Sequence, residues 1–196
     1  MSLLLLAALW IIAPRATPAW DQALLAFLAR ARTPLLDQAM AGFTWLGSLW
    51  LLAPLSLLAA LYGWRRGAGT VWLQPSAALL LTIAVGYGAK TLIQRPRPAL
   101  YPVLDSLATH ASFPSLHTAQ FLAVGVALGL LGQGPRRRWA LGIALVLGLA
   151  VGLSRLYLQV HFPSDVLAGV LLGGTVAVAL NFLWYRPDLT ALPQGR

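Results

Sequence analysis

Lys90 is the single lysine among fourteen cationic side chains, and it opens the spacing Lys90-x6-Arg97-Pro98. Pro114-Ser115-Leu116-His117 follows, and then Ser154-Arg155-x5-His161-x3-Asp165. Phosphoryl transfer needs cations for the equatorial oxygens, an in-line nucleophile and an acid for the leaving oxygen. Arg97 and Arg155 can present planar forks to phosphate oxygens, and Lys90 a mobile point charge. Ser115 and its neighbouring N–H groups fall at a predicted helix N-terminus, where anions are favoured. His117 and His161 supply two imidazoles able to differ in protonation near neutral pH. Asp165, four residues past His161, can accept from one ring nitrogen and aim the other, the arrangement expected of an activated nucleophile.

The elements that must position these residues are membrane helices. Of 196 residues, 59% are hydrophobic and 10% charged, with a mean hydropathy of +0.74. That composition excludes an ordinary soluble core and fits one polytopic domain spanning 1–196. The net charge of +9 does not point to nucleic acid, because the arginines are scattered between apolar runs, as orientation-setting loop arginines are. The absence of cysteine excludes disulfides, thiolate nucleophiles and cysteine-held metals.

Residues 2–13 are apolar, lack a basic flank and lead into Pro14-Arg15-Ala16, so no cleaved signal is expected. At about 1.5 Å per residue they reach only ~20 Å, short of a ~30 Å hydrocarbon core; they read as a short or interfacial first helix. Residues 20–32 place Leu24, Phe27, Leu28 and Ala31 at helical spacing, which predicts an amphipathic interface helix. Spans are expected over 43–62, with a kink at Pro54, and over 71–91, 115–131, 139–158 and 163–184. The fold expectation is an all-α polytopic bundle of about six transmembrane helices. Gly125-x3-Gly129, Gly148-x3-Gly152 and Gly169-x3-Gly173 place one close-packing pair in each of the last three spans.

Counting spans brings every motif residue to one membrane face. The opposite face holds Arg65, Arg66, Arg136, Arg137, Arg138, Arg186 and Arg196. The motif face has Arg15, Arg30 and Arg32 once Lys90, Arg95, Arg97 and Arg155 are set aside. That imbalance puts the motif face outside the cytoplasm; counted with the motif cations, the two faces are equal.

The three motifs together resemble the signature of the type 2 phosphatidic acid phosphatase (PAP2) superfamily, matched from Lys90 to Asp165. The resemblance implies a helical membrane phosphatase of the bacterial inner membrane, independent of metal and cofactor, acting on a lipid phosphate or diphosphate. Undecaprenyl diphosphate, phosphatidylglycerophosphate and phosphatidic acid are the substrate classes it implies, the first slightly favoured by an outward site. By the same resemblance His161 is the nucleophile, forming a phosphohistidine. Asp165 orients it, His117 protonates the leaving oxygen, and Lys90, Arg97, Ser115 and Arg155 bind the phosphoryl oxygens. Where the family usually has glycine between serine and histidine this chain has Leu116, which bears on the shape of the oxyanion pocket.

Several of these residues also have a plain structural reading. Lys90 can snorkel from a helix end, Ser115 can cap its helix, and Asp165 can complement a helix dipole. Ser154 can bond back to its own helix or serve the site. Arg95 reads as a loop cation near headgroups, and His110 as a structural histidine. The rival functions are a phosphotransferase using the same intermediate, a vanadate-dependent haloperoxidase, and a non-catalytic lipid or phosphate transporter.

Overall fold

The computed structural model describes residues 2–14, 16–100 and 111–184. Long runs of Leu, Ala, Val and Ile, punctuated by Pro, Gly and Ser, give eight α-helices and no strand among them. In chain order these are α1 (Ser2–Ile12), α2 (Ala19–Arg30), α3 (Pro34–Leu46), α4 (Leu49–Arg65), α5 (Gln74–Ile93), α6 (Leu116–Leu130), α7 (Gly134–Tyr157) and α8 (Pro163–Trp184). A 3₁₀ turn, Thr70–Leu73, leads into α5. The all-α bundle expected from the sequence is the fold observed. Four stretches are long and apolar enough to cross a membrane: Pro34–Arg65, Thr70–Ile93, Gly134–Tyr157 and Pro163–Trp184. Two shorter apolar helices, Leu3–Ile12 and Leu116–Leu130, bring the apolar segments to six. His110, Arg186 and Arg196 lie outside the described residues.

Local chemistry sets the boundaries. Thr33 Oγ1 accepts from the Leu36 N–H at 3.3 Å, and Pro34 occupies the first turn of α3. Lys90 falls in the last turn of α5, which Gln94 closes in the left-handed region at φ 48°, and Pro96 and Pro98 forbid its continuation.

Three expectations change. The span read as 43–62 is interrupted at Gly47–Ser48, where Ser48 caps a new helix by accepting from the Leu51 N–H at 3.4 Å. The helix then runs through Pro54, so the break precedes the proline. Arg136, Arg137 and Arg138 belong to the start of α7 rather than to a turn, because Gly134-Pro135 begins the helix ahead of them. On α2 the buried face is Asp21, Leu25 and Leu28, while Leu24 and Phe27 point away from the protein. Leu25 and Leu28 pack against Leu156, Phe162 and Val166, so α2 is docked on the ends of α7 and α8.

Helix α6 is the centre of the bundle, packed against α5, α7 and α8 and touching α3 and α4. Ala119, Ala123 and Ala127 on α6 meet Ala78, Val85, Leu172 and Val176 in the main core. All three expected glycine pairs lie at close approaches. A Cβ on Gly169 would sit 2.6 Å from the Ser115 carbonyl oxygen, and one on Gly173 would collide with the Ala119 carbonyl. The pairs in α6 and α7 face Ala144, Leu141, Leu122 and Val166 in the same way. With lipid on the outside there is little hydrophobic drive between helices, so backbone proximity and dispersion hold the bundle. The short α1 lies along α5, with Leu9 buried and Leu6 over Gly88.

Gly173→Ala therefore forces α6 and α8 apart and is expected to destabilise the detergent-purified protein by about 1–3 kcal/mol, as overpacking does. Gly174→Ala, with no atom within 4 Å of the added carbon, serves as the neutral control. Thermal unfolding of the two variants side by side checks the difference.

Candidate active site

The end of α5, the start of α6, the end of α7 and the start of α8 meet at one end of the bundle. The main chains of the second and third motifs are joined there: the Ser115 N–H donates to the Asp165 carbonyl at 3.0 Å. The turn carrying His161 reverses at Gln159, whose φ is 60°; the Gln159 amide donates to the Leu25 carbonyl at 3.1 Å, tying that turn to α2.

His161 is the centre of the group, 2% exposed. Its charged surroundings are Arg155, Arg97, Lys90 and His117. Burial first, then the charges of those groups, holds its imidazole well below the ordinary value of 6.5, which favours the neutral ring. Arg97 Nη1 lies 3.3 Å from Nε2 of His161 and donates to the Val160 carbonyl at 2.6 Å. Lys90 is buried, its Nζ donating to the Ala111 carbonyl. Arg155, 2% exposed, reaches across to Thr44 Oγ1 at 2.6 Å. His117 stands half-buried in the first turn of α6. Its backbone is approached so closely by Gly47 that a Cβ there would lie 2.6 Å from the His117 carbonyl oxygen. The break between α3 and α4 is thus pressed against the His117 turn.

Three residues differ from their sequence readings, and Ser154 follows one of its two. Ser115 occupies the N-cap position of α6 but caps nothing with its side chain; its hydroxyl is 3.1 Å from Thr118 Oγ1. Ser154 donates to the Val151 carbonyl of its own helix at 2.7 Å, the back-bonding alternative. The Leu116 side chain fills the notch left by Gly86 on α5, where any Cβ would collide with it. Leucine at the usual glycine position is therefore accommodated by glycine on the facing helix. Asp165 has Oδ2 3.5 Å from Nδ1 of His161, beyond hydrogen-bond range, and Nδ1 has no hydrogen-bond partner. That carboxylate is held by others: Oδ2 accepts the Phe162 N–H at 2.8 Å and Oδ1 accepts from Arg95 Nη1 at 2.5 Å.

Arg95 is the main correction. It is buried rather than at the headgroups, and its second arm reaches Asp21 Oδ2 on α2 at 2.8 Å. Sequence reading assigned no role to Asp21 or Thr44. Asp21 carried a usable signal: it is one of only five carboxylates facing fourteen cations, and it stands on α2 in the same third position that Asp165 holds on α8. Thr44 carried none, because hydroxyls are ordinary in membrane helices. Among the described residues, no three His, Cys, Asp or Glu side chains gather in a metal-holding group.

The arrangement can hold a tetrahedral oxyanion among three cations with an imidazole nitrogen facing phosphorus. The chain is similar to the bacitracin transport permease protein BcrC of Bacillus licheniformis, at 39% identity over 49% of this chain and 45% of that protein. It is also similar to the undecaprenyl-diphosphatase BcrC of Bacillus subtilis, at 32% identity over 53% of this chain and 51% of that protein. The matched region thus spans about half the length of these two relatives. The crystal structure of a transmembrane PAP2-type phosphatidylglycerolphosphate phosphatase from Bacillus subtilis superposes with a TM-score of 0.81 at 27% identity, covering 96% of this chain and 94% of that one. The PAP2 superfamily profile matches residues 71–188, which takes in all three motifs and the four helices that meet around His161. The chain belongs to the PAP2 superfamily.

Proposed function

We propose that the protein hydrolyses a lipid phosphate or diphosphate through a phosphohistidine formed on His161. The observation that carries this reading is the buried imidazole of His161, its Nε2 3.3 Å from Arg97 Nη1 and set among Arg155, Lys90 and His117. Nε2 attacks phosphorus as the bond from phosphorus to the leaving lipid oxygen breaks, and His117 gives that oxygen its proton. Water then attacks the phosphorus, the P–N bond breaks, His117 takes the water proton, and inorganic phosphate leaves. Lys90, Arg97 and Arg155 neutralise the oxygens that gain charge in each transition state. Asp165 closes its 3.5 Å separation and accepts from Nδ1 as the ring becomes charged; catalytic hydrogen bonds are often long before substrate arrives.

The whole chain acts as one membrane domain with the site at the outer face of a bacterial inner membrane, the orientation favoured by Arg65, Arg66 and Arg136 to Arg138 at the other end. An outer-leaflet prenyl diphosphate such as undecaprenyl diphosphate is the favoured substrate, in keeping with the name of the Bacillus subtilis relative. The permease name of the Bacillus licheniformis relative favours a second reading, lipid transport without turnover.

His161→Ala is expected to abolish phosphate release from lipid diphosphates and monophosphates in chelator-containing buffer, with headgroup binding retained. Transport that survives this substitution, in a wild type that releases no phosphate, would replace hydrolysis by the transport reading. Activity lost on chelation would overturn the metal-free step. Vanadate, which mimics the five-coordinate transition state, should inhibit.

The pH profile follows from the lowered imidazole value. The neutral ring is the nucleophile, so protonation removes activity only once pH falls well below 6.5. The plot of kcat/KM against pH, which reports the free enzyme, should be bell-shaped with its acid limb well under that value. An acid limb at or above 6.5 would contradict the assignment of His161.

A further inference from the structure

Behind His161, on the side away from the three cations, lies a chain of buried charge. Asp21 is 0% exposed and Asp165 is 0% exposed, with Arg95 between them. Arg95 Nη2 donates to Asp21 Oδ2 at 2.8 Å, and Nη1 donates to Asp165 Oδ1 at 2.5 Å and to Ser164 Oγ at 2.7 Å. Ser164 completes the arrangement: its Oγ donates to Asp21 Oδ2 at 2.5 Å, and its N–H donates to Asp21 Oδ1 at 2.9 Å. The guanidinium also lies over the Phe162 ring, with Cζ 4.2 Å from the centroid. The Arg95 main chain is pinned too, since its carbonyl accepts the Ser112 N–H at 2.8 Å.

Both carboxylates sit in the first turn of a helix, Asp21 on α2 and Asp165 on α8, so each also meets a helix dipole. Two carboxylates and one guanidinium leave a net negative charge behind the nucleophile. The side facing the substrate carries Lys90, Arg97 and Arg155. Arg95 is committed at both arms and stacked on an aromatic face, which leaves it no geometry for a substrate oxygen.

We infer that Arg95 and Asp21 are positioning residues for the phosphoryl-transfer step, forming a relay Asp21–Arg95–Asp165 that fixes the carboxylate on which His161 Nδ1 depends. The inference rests on the reading of His161 as nucleophile. Oδ1 of Asp165 is clamped by Arg95 and Oδ2 by the Phe162 N–H, so the carboxylate plane is set before substrate binds. Asp21 in turn holds the second arm of Arg95, so that the guanidinium stays on Asp165. A residue near the start of the chain thereby acts on a site built from residues 90–165.

The charged and titratable groups facing the Asp165–His161 pair are Arg95 after α5, Asp21 from α2, Lys90 from α5, Arg97, Arg155 from α7 and His117 from α6. Removing the Asp21 charge makes that environment more positive and disfavours the imidazolium. The acid limb of kcat/KM then moves to lower pH. A role confined to packing leaves the limb where it is.

The test uses the full chain in detergent, with phosphate release from a lipid diphosphate as readout and thermal unfolding as a check of folding. Arg95→Lys keeps the charge but loses the fork. It is expected to lower kcat on the order of 10²-fold, the effect of misplacing a reacting group by about 1 Å, with KM and vanadate inhibition unchanged. Asp21→Asn keeps an acceptor for Ser164 and Arg95, and is expected to move the acid limb to lower pH. Wild-type kcat in folded Arg95→Lys overturns the relay. So does a parallel loss of vanadate affinity, which would make Arg95 a direct anion ligand. If Arg95→Lys does not fold, Asp21→Asn decides, and an unmoved or raised acid limb overturns the proposal. Turnover retained in His161→Ala defeats the nucleophile reading itself, whereas a dead His161→Ala beside a wild-type Arg95→Lys defeats only the relay.

Discussion

The contact between α6 and α8 is the constraint on which the site depends. Gly169 and Gly173 let the α8 backbone touch the Ser115 and Ala119 carbonyls, and at the top of that seam the Ser115 N–H bonds the Asp165 carbonyl. Two motifs far apart in the chain are thereby fixed to each other through main-chain atoms, with no side chain intervening. In lipid, where apolar surface gains little by meeting apolar surface, such proximity is the available source of rigidity. Ser115 and His117 at the start of α6 and Asp165 at the start of α8 are aimed from helix termini that the seam holds together.

A second constraint is charge. Lys90, Arg97 and Arg155 beside a buried imidazole would be unfavourable without compensation, since the desolvation of ions is costly near an apolar interior. The protein supplies these cations with main-chain carbonyls from Ala111 and Val160 and the Thr44 hydroxyl, and sets the carboxylates of Asp165 and Asp21 on the neighbouring Arg95. Removing one member of a buried pair typically costs about 3–5 kcal/mol because the other is left uncompensated. The site is thus electrostatically asymmetric, cationic on the Arg97 side of His161 and carrying carboxylates on its Nδ1 side. An oxyanion entering among the three cations would complete the balance of charge.

Much of this was legible in the sequence, for identifiable reasons. Spans announce themselves by length and apolarity, so α5 to α8 could be placed within a few residues. Parity of spans then brought Lys90, His117, Arg155 and His161 to one face. The glycine pairs were legible because their spacing has one physical use in a packed membrane helix. What escaped were interactions whose partners come from distant segments. Arg95 reads as a loop cation until Asp21 is seen facing it, and their separation in sequence leaves no periodic trace. The break at Gly47–Ser48 was hidden because the apolar run continues across it, and only Ser48 as a cap distinguishes it. Ser115 had the right position for capping, but its hydroxyl lies against Thr118 Oγ1 instead, which no pattern of residue types records.

Leu116 and Gly86 illustrate a further property of such a bundle. A bulky side chain occupies the position next to the histidine only because the neighbouring helix has given up its own side chain opposite it. The two positions share one fixed volume, so neither is independently variable: mass can be moved between them but not added to both. Swapping them, glycine at 116 with a larger apolar residue at 86, would preserve the fill while baring the main chain beside His117. The same helix packing could in this way carry its bulk on either of the two facing helices.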